Sequence, residues 1–251
     1  MTDNKTTFWN FLKENKIEIP IIQRDYAQGR LGKEFLRQGF LSSLKNALDG
    51  NNNNTELKLD FVYGSVENGT LQPLDGQQRL TTLWLLHWYI ALRAGKLKEV
   101  GEILKRFTYE TRISSREFCE HLCDGSNFES FDNSYEGKHK VIVEFITNQT
   151  WFYSAWKQDP TIQSMLRMLG GTEIHNKKGE DIIDGIEELF KNVSTEEMGC
   201  YWLKLTTNSP IVFYYLPLKE FGLSDDLYIK MNARGKQLTM FENFKADLIG
   251  F

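Results

Sequence analysis

The stretch Leu71–Ile90, LQPLDGQQRLTTLWLLHWYI, joins a strand, a sharp turn and a helix. Its first residues predict a short strand, and Asp75-Gly76 predicts a tight turn at the end of that strand. The residues after Arg79 are apolar on nearly every side of the predicted helix, which is typical of a helix buried in the middle of a domain. The stretch therefore predicts a strand that leads directly into a buried central helix.

Five residues at the entrance of this helix are not apolar, and their types suit an anion. The first N–H groups of a helix have no intrahelical partner, and the helix dipole favours negative charge there. Gly76 would let phosphates approach the backbone, and Arg79 offers a permanently charged planar fork. Gln77 and Gln78 can orient a phosphate, a base or a water. Asp75 suits a metal ion or a helix cap, and the simpler alternative for the whole group is a capped core helix with a polar mouth.

The chain before this stretch predicts a β-hairpin and a second polar segment. Leu57–Val66 is rich in strand-forming residues, Asn68-Gly69 is a strong two-residue turn signal, and Thr70–Leu74 is the return strand. Further upstream, Ile17–Arg30 (IEIPIIQRDYAQGR) begins as an extended apolar run and then becomes polar within a few residues. This pattern is consistent with a ligand-binding wall or with an exposed loop that forms surface ion pairs.

Local signals also predict where several helices begin. Thr7 is placed to cap a helix over Phe8–Glu14, and Gly32–Leu48 has the apolar spacing of an amphipathic helix. Asp159-Pro160 combines a cap with a proline in the first turn. Ser194 with Glu197 forms a capping box.

Composition limits the class of protein. The 251 residues carry a net charge of −4, which argues against a general nucleic-acid coat. No apolar run reaches the ~18–20 residues that span a membrane, and the first residues lack the pattern of a signal peptide. Three cysteines, an odd number, indicate a reducing compartment without a disulfide framework. We therefore expect a soluble cytoplasmic protein with a substantial core.

The later part of the chain is mostly helical and ends without a clear boundary. The pattern between Ala91 and Thr207 is helical, and Ile211–Leu216 then predicts a central strand. Ser224 is placed to cap a further helix that ends near Gly235. Strands on both sides of a long helical region predict an α+β fold. Because the last predicted helix stops abruptly, we expect the chain to be an N-terminal fragment of a longer protein.

Three segments together resemble a known family. They are IPIIQRDYAQGR at 19–30, LDGQQRLTTLWLL at 74–86 and LYIKMNARGKQLTMFENFKADLI at 227–249. Their order, with a long helical region between the second and third, resembles the GmrSD-type restriction N-terminal domain family over nearly the whole chain. One departure is Gln28, where the family often has a tryptophan two positions after the tyrosine.

The resemblance implies a fold, an activity and partners. It implies a ParB/sulfiredoxin-like mixed sheet formed by 1–90 and 208–251, with a large, mostly helical insertion at 91–207. It also implies an NTP-binding and NTP-hydrolysing module, dependent on Mg²⁺, of a bacterial anti-phage, modification-dependent restriction system. DNA would be engaged through the full-length protein or complex. The family's HNH-type nuclease, which these residues lack, would be a C-terminal domain or a partner chain.

The residue types and the resemblance both predict the same pocket. Phosphates would bind the turn and the helix N-terminus, Arg24 would add a second positive charge, and the third segment would close the pocket over the nucleotide. The expected catalytic residues are Asp75, Gln77, Gln78 and Arg79, with Asp75 as the metal ligand. The expected nucleotide-binding residues are Gln23, Arg24, Tyr26, Gly76, Asn232, Arg234 and Gly235.

Two alternatives to an NTPase remain open at this point. The first is a non-catalytic module that binds or senses modified DNA through a basic surface, for which salt-dependent DNA affinity without nucleotide turnover is expected. The second is a nuclease in its own right, which the lack of a metal-ligand cluster in the sequence makes the least favoured. The preferred base, and whether the nucleotide is hydrolysed or only bound, do not follow from the sequence.

Overall fold

A computed structural model of the protein describes residues 4–20, 26–50, 56–110, 113–132, 139–175 and 181–217. Within these ranges the strands are β1 (Lys5–Thr6), β2 (Lys16–Ile19), β3 (Leu57–Glu67), β4 (Thr70–Asp75), β5 (Phe107–Tyr109), β6 (Glu173–His175), β7 (Asp181–Ile183) and β8 (Ile211–Pro217). The helices are α1 (Phe8–Glu14), α2 (Glu34–Asp49), α3 (Gln77–Arg93), α4 (Leu97–Leu104), α5 (Ile113–Cys123), α6 (Val141–Thr147), α7 (Pro160–Gly170), α8 (Ile186–Phe190) and α9 (Thr195–Thr206).

Six of these strands form one mixed sheet, in the order β1-β8-β3-β4-β2-β5. The antiparallel pair of β3 and β4 is the hairpin that the Asn68-Gly69 turn predicts, and Glu67 pairs with Thr70 across it. β8 runs parallel to β3, while β2 runs parallel to both β4 and β5. A mixed sheet packed with helices confirms the predicted α+β class.

The helix α3 lies at the centre of the hydrophobic core. Every residue from Leu80 to Arg93 is buried, as the apolar sequence predicts. Its two tryptophans satisfy their polar atoms inside the core, since the indole N–H of Trp84 donates to the carbonyl of Leu104 and that of Trp88 to the carbonyl of Leu122. The strand β4 therefore delivers the chain into a helix whose position is fixed on all sides.

The segment predicted as a helical insertion, 91–207, is mostly helical but also contributes a strand to the sheet. Ile17 of β2 pairs with Phe107 of β5, so the edge of the six-stranded sheet comes from this segment. A separate two-stranded hairpin, β6 with β7, lies in it as well. The helices of the segment share one hydrophobic cluster with α3 and the sheet. The division of the chain into a core and an insertion stays a prediction.

The predicted helix caps are confirmed where the structure describes them. The side chain of Thr7 accepts from the backbone N–H of Asn10, and that of Asp159 from Thr161 and Ile162. The reciprocal capping box of Ser194 and Glu197 is present at α9. The helices predicted after Ser224 lie outside the described residues. Among the described helices, none is long and apolar enough to cross a membrane.

The first turns of α2 differ from the amphipathic pattern that predicts this helix. Phe35 and Leu36 are exposed, whereas Arg37 is buried. A buried guanidinium is tolerated when it is paired with a counter-charge and hydrogen-bonded, and both terminal nitrogens of Arg37 have partners. Arg37 forms an ion pair with Asp184 at 2.7 Å and donates to the side chain of Thr172. The helix therefore turns a charged residue inwards and leaves two large apolar side chains facing solvent.

Candidate functional site

The turn between β4 and α3 is built around Gly76. This residue has a φ of +91°, in the left-handed region that favours glycine, and forms the N-terminal cap of α3. A Cβ at this position would lie 2.9 Å from Cγ2 of Val62 on the neighbouring strand β3. Both the backbone conformation and the close approach of β3 therefore require glycine here.

The two glutamines after the turn contact the backbone of the protein itself. Gln77 is buried, and its amide donates to the carbonyl of Leu74 at 3.0 Å, which ties the helix to the end of β4. The side-chain oxygen of Gln78 accepts from the backbone N–H of Ala27 at 2.6 Å and of Gln28 at 3.2 Å. Gln78 therefore holds the polar segment that follows β2 against the first turn of α3.

A second contact fixes the same segment one turn further along α3. The hydroxyl of Tyr26 lies 2.6 Å from Oγ1 of Thr82, and that same Oγ1 donates to the side-chain oxygen of Gln28. Burial raises the pKa of Tyr26 well above its ordinary value, so the hydroxyl stays protonated. Tyr26 is 2% exposed and acts here as an anchor for the loop.

Arg79 lies where the turn, β3 and a surface cleft meet. Its Nη2 donates to the carbonyl of Phe61 at 2.8 Å and lies 3.6 Å from a carboxylate oxygen of Asp75. Its Nη1 lies 3.7 Å from a carboxylate oxygen of Asp60, beyond hydrogen-bond distance, and this buried nitrogen has no hydrogen-bond partner in the part of the chain that the structure describes. The side chain as a whole is 20% exposed, so a ligand in the cleft can reach part of it.

Beside Arg79 there is an open cleft of about 470 Å³. Three segments form its walls: the loop after β2, the first turns of α2, and the start of β3 together with the start of α3. Leu36, Phe40 and Leu59 give it an apolar side. The other described residues that line it are Ala27, Gln28, Lys33, Arg37, Lys58, Asp60, Gln78 and Arg79.

The structure brings together part of the predicted site. Gln78 and Arg79 line the cleft, whereas Tyr26 and Gln77 are buried beside it and Gly76 shapes the turn. Asp75 does not line the cleft, but its side chain is half exposed and close to Arg79. Five predicted nucleotide-binding residues lie outside the described residues, and these are Gln23, Arg24, Asn232, Arg234 and Gly235.

The charged residues Lys33, Lys58 and Asp60 of the cleft were not predicted from the sequence. One signal for two of them lies in the register of the hairpin. Tyr63 pairs with Asp75, so the residues before Tyr63 on β3 continue past the end of β4 and run beside the start of α3. If the pairing of β3 with β4 is counted back from the Asn68-Gly69 turn, Lys58 and Asp60 fall beyond the end of β4, beside the first turn of α3 that carries Arg79. Lys33 carries no comparable signal.

A larger hollow, of about 1060 Å³, lies among α1, β1 and the start of β8. Two of its charged residues, Lys5 and Glu56, form an ion pair with each other at 2.7 Å. None of the predicted site residues that the structure describes lines it. The cleft beside Arg79 is therefore the better candidate for the site that the sequence indicates.

Comparison with known proteins identifies the family. Residues 8–249 match the family model of the GmrSD restriction endonuclease N-terminal domain, so the match includes both the loop after β2 and the turn at Gly76. No curated protein matches the chain. The family match confirms the resemblance seen in the three sequence segments. The chain therefore belongs to the family of GmrSD restriction endonuclease N-terminal domains and is a component of a restriction system.

Proposed function

We propose that the cleft beside Arg79 binds a nucleoside triphosphate, and that the chain is the NTP-binding and NTP-hydrolysing module of a bacterial anti-phage, modification-dependent restriction system. One observation carries this proposal. Arg79, whose guanidinium has a buried nitrogen without a hydrogen-bond partner among the described residues, lies at the edge of a cleft of about 470 Å³. That volume is within the ~300–1,000 Å³ typical of small-molecule sites.

The arrangement of Arg79 supports a role in holding phosphate. Its two carboxylate neighbours, Asp60 and Asp75, are 3.7 and 3.6 Å away, so neither forms a tight bidentate pair with it. Asp60 is 92% exposed, and a contact to so exposed a partner stabilises the folded protein little. Phosphate oxygens that displaced these weakly held carboxylates would meet a guanidinium nitrogen, Nη1, that has no competing partner among the described residues.

The turn at Gly76 supports phosphate binding in a second way. A helix of this length directs unpaired N–H groups and the positive end of its dipole out of its first turn. Gly76 sets the backbone conformation from which this first turn starts. In this proposal, Gln77, Gln78 and Tyr26 position the turn and the loop, while Arg79 contacts the nucleotide. The residues outside the described ranges, among them Arg24 and Asn232, stay part of the predicted pocket.

The acidic residues fit Mg²⁺ as a partner of the nucleotide. Asp75 is half exposed, and Asp60 lies on the other side of the same guanidinium. Mg²⁺ is bound through one or two carboxylates, with phosphate and water oxygens in its remaining positions, and this donor set matches that need. Asp75 is the proposed ligand, and Mg²⁺ would neutralise part of the charge on the phosphates when it is bound.

Hydrolysis in this site would depend on positioning and on stabilised charge. A water oxygen attacks the γ-phosphorus, the bond to the β–γ bridging oxygen breaks, and the products are a nucleoside diphosphate and inorganic phosphate. Little covalent chemistry is asked of the protein, because phosphoryl transfer is catalysed mainly by orientation and electrostatics. Arg79 supplies the positive charge, and the loop held by Gln78 fixes the wall of the site.

Titration of the purified chain with ATP, GTP, CTP and UTP in the presence of Mg²⁺ tests the proposal. A bound ligand stabilises the folded state by mass action, about 2.7 kcal/mol at a hundredfold excess over Kd, so thermal unfolding reports binding and phosphate release reports turnover. We expect a nucleotide-dependent rise in Tm that Arg79→Gln abolishes. Arg106→Gln is the matched control, since Arg106 also donates to backbone carbonyls but lies away from the cleft.

A DNA-binding titration at several salt concentrations, run beside the nucleotide titration, separates this proposal from DNA sensing. If the wild-type chain binds no nucleotide but binds DNA with an affinity that falls steeply with salt, the non-catalytic DNA-binding module is the better explanation. If Arg79→Gln loses the nucleotide and keeps any DNA affinity, the nucleotide site is supported. We further propose that the nuclease of the system is a C-terminal domain or a partner chain, and that the module works in the cytoplasm.

A further inference from the structure

The cleft has a charge imbalance in an otherwise acidic chain. Lys33 and Lys58 lie on its rim, and neither ammonium group has an ion-pair or hydrogen-bond partner among the described residues. Arg79 is a third cation, and Asp60 is the one carboxylate among the described residues that line the cleft. The buried Arg37 does not add to the excess, because Asp184 neutralises it at 2.7 Å. Three cations against one anion leave two positive charges, although the chain as a whole carries −4.

One side of the same cleft is apolar, and its most exposed residue is Leu36. Leu36 and Phe40 lie one turn apart on α2, and Leu59 of β3 lies opposite them. Leu36 is 70% exposed, and an exposed side chain of this size gains free energy when a ligand covers it. A cleft with cations at its rim and an apolar side suits a ligand that combines a flat, weakly polar ring system with a chain of phosphates.

We propose that the nucleotide binds in one orientation, with its base against Leu36, Phe40 and Leu59 and its phosphates between Lys33, Lys58 and Arg79. This assignment rests on the proposed function and adds to it the residues that hold each end of the ligand. Lys33 and Lys58 would act as point charges on the phosphates, while Arg79 offers the planar fork. Leu36 and Phe40 would make base binding depend on ring area more than on hydrogen-bond pattern.

Calorimetric titration with three probes tests the orientation. The probes are a non-hydrolysable nucleoside triphosphate, the corresponding nucleoside, and inorganic tripolyphosphate, each with Mg²⁺ and the complete chain. For the double variant Lys33→Gln/Lys58→Gln we expect triphosphate and tripolyphosphate affinity to fall by roughly a hundredfold, about tenfold for each charge-assisted contact, while nucleoside affinity is unchanged. For Leu36→Ser we expect roughly a tenfold loss for the triphosphate and the nucleoside, and no change for tripolyphosphate.

Matched controls come from the same chain. Lys13→Gln/Lys157→Gln removes the same charge from two exposed lysines that do not line the cleft, and Phe35→Ser changes the exposed apolar neighbour of Leu36 outside it. Both controls should bind all probes as the wild type does. All the replaced residues are exposed, so folding is expected to survive, and thermal unfolding without ligand verifies this.

The outcomes distinguish the orientation from the function itself. If the wild type binds the triphosphate and Arg79→Gln loses it, but the lysine and Leu36 variants bind like the wild type, the orientation is wrong and the nucleotide site stands. If the lysine variant weakens the nucleoside as much as tripolyphosphate, the division of the cleft is wrong. If the wild type binds no triphosphate, both proposals fail together.

Discussion

Gly76 occupies a backbone conformation that other residues adopt only at a cost. We expect Gly76→Ala to lower the free energy of unfolding by about 2–3 kcal/mol, because a left-handed alanine costs ~1–2 kcal/mol and its methyl group would press on Val62. Urea denaturation followed by tryptophan fluorescence measures the loss. Since Gly76 caps the N-terminus of α3, the same variant should also weaken nucleotide binding.

Gly69 provides the control for Gly76. It has a φ of +73°, but a Cβ there would meet nothing within 4 Å. Gly69→Ala should therefore lower the free energy of unfolding only by the cost of a left-handed alanine, ~1–2 kcal/mol. If the two alanine variants lose the same stability, the contact between position 76 and Val62 has no energetic importance.

His87 is a buried imidazole on α3 that stays neutral in the folded protein. Its Nδ1 lies 2.8 Å from the carbonyl oxygen of Leu83, and its ring stacks on that of Trp9. Burial lowers its pKa from 6.5 to about 4. Between these two values the unfolded chain binds a proton that the folded chain does not, so acidification favours unfolding. Above pH 6.5 both states are neutral, and the group adds no pH dependence.

We therefore expect the free energy of unfolding to decrease as pH falls through this window, with His87 contributing up to about 3 kcal/mol of the decrease. Carboxylates titrate in the same range, so the informative quantity is the difference between the wild type and His87→Asn. Urea titrations at several pH values between 7 and 4 measure that difference. Parallel curves for the two proteins would mean that His87 is already protonated, or solvated, in the folded state.

At the scale of elements, Gln78 joins α3 to the loop after β2. Its oxygen accepts from two backbone N–H groups, those of Ala27 and Gln28. We expect Gln78→Ala to leave both N–H groups without this acceptor and to raise their hydrogen-exchange rates by roughly tenfold or more. Hydrogen exchange read by mass spectrometry on a peptide covering this loop measures the effect.

Gln78→Glu tests whether the acceptor is what matters. A carboxylate keeps the oxygen that the two N–H groups need, so exchange in the loop should stay near the wild-type rate. Nucleotide affinity should still fall in this variant, because a negative charge is added beside Arg79 in the cleft. Exchange at the wild-type rate in both variants would assign the order of the loop to Tyr26 and Thr82 instead.

The elements with local signals could be predicted from the sequence. The hairpin turn at Asn68-Gly69 and the caps Thr7, Asp159 and Ser194 each depend on residues a few positions apart, and each is present. The burial of α3 follows from its composition alone. The contact between Gln78 and the loop at 26–28 agrees with the predicted meeting of the first two motifs.

The features set by distant contacts could not be predicted. Nothing local in Phe107–Tyr109 indicates that this strand joins the sheet, because its partner β2 lies about ninety residues earlier in the chain. Likewise, the periodicity of α2 predicts burial for Leu36, whereas the partners that bury Arg37 come from Thr172 and Asp184. The cationic rim of the cleft combines lysines that each look like ordinary surface residues.

At the scale of the whole molecule, Arg37 and Asp184 connect α2 to the chain after β7. Both side chains are fully buried, and Arg37 also donates to the carbonyls of Gln28 and Arg30 in the loop. We expect Asp184→Asn to destabilise the protein by about 3–5 kcal/mol, because it leaves a buried guanidinium without a counter-charge. Chemical denaturation measures the loss, and nucleotide titration should show weaker binding through the disturbed loop.

A double-mutant cycle isolates the pair. The double variant Arg37→Met/Asp184→Asn has no buried charge left. Its loss of unfolding free energy should therefore be smaller than the sum of the losses in the two single variants, by at least ~1 kcal/mol. Additive losses would show that the two residues stabilise the fold independently. That result would also mean that Asp184 does not support the loop at the cleft wall through Arg37.

The position of β8 in the sheet has a consequence for biosynthesis. β8 lies between β1 and β3, so it pairs with the beginning of the chain and fills the interior of the sheet, yet it is translated roughly 150 residues after β3. Until Pro217 has left the ribosome, β3 offers an unpaired edge on which other chains can pair. Such distant pairing makes folding slow, and nascent chains of this protein would be expected to need protection from aggregation during synthesis.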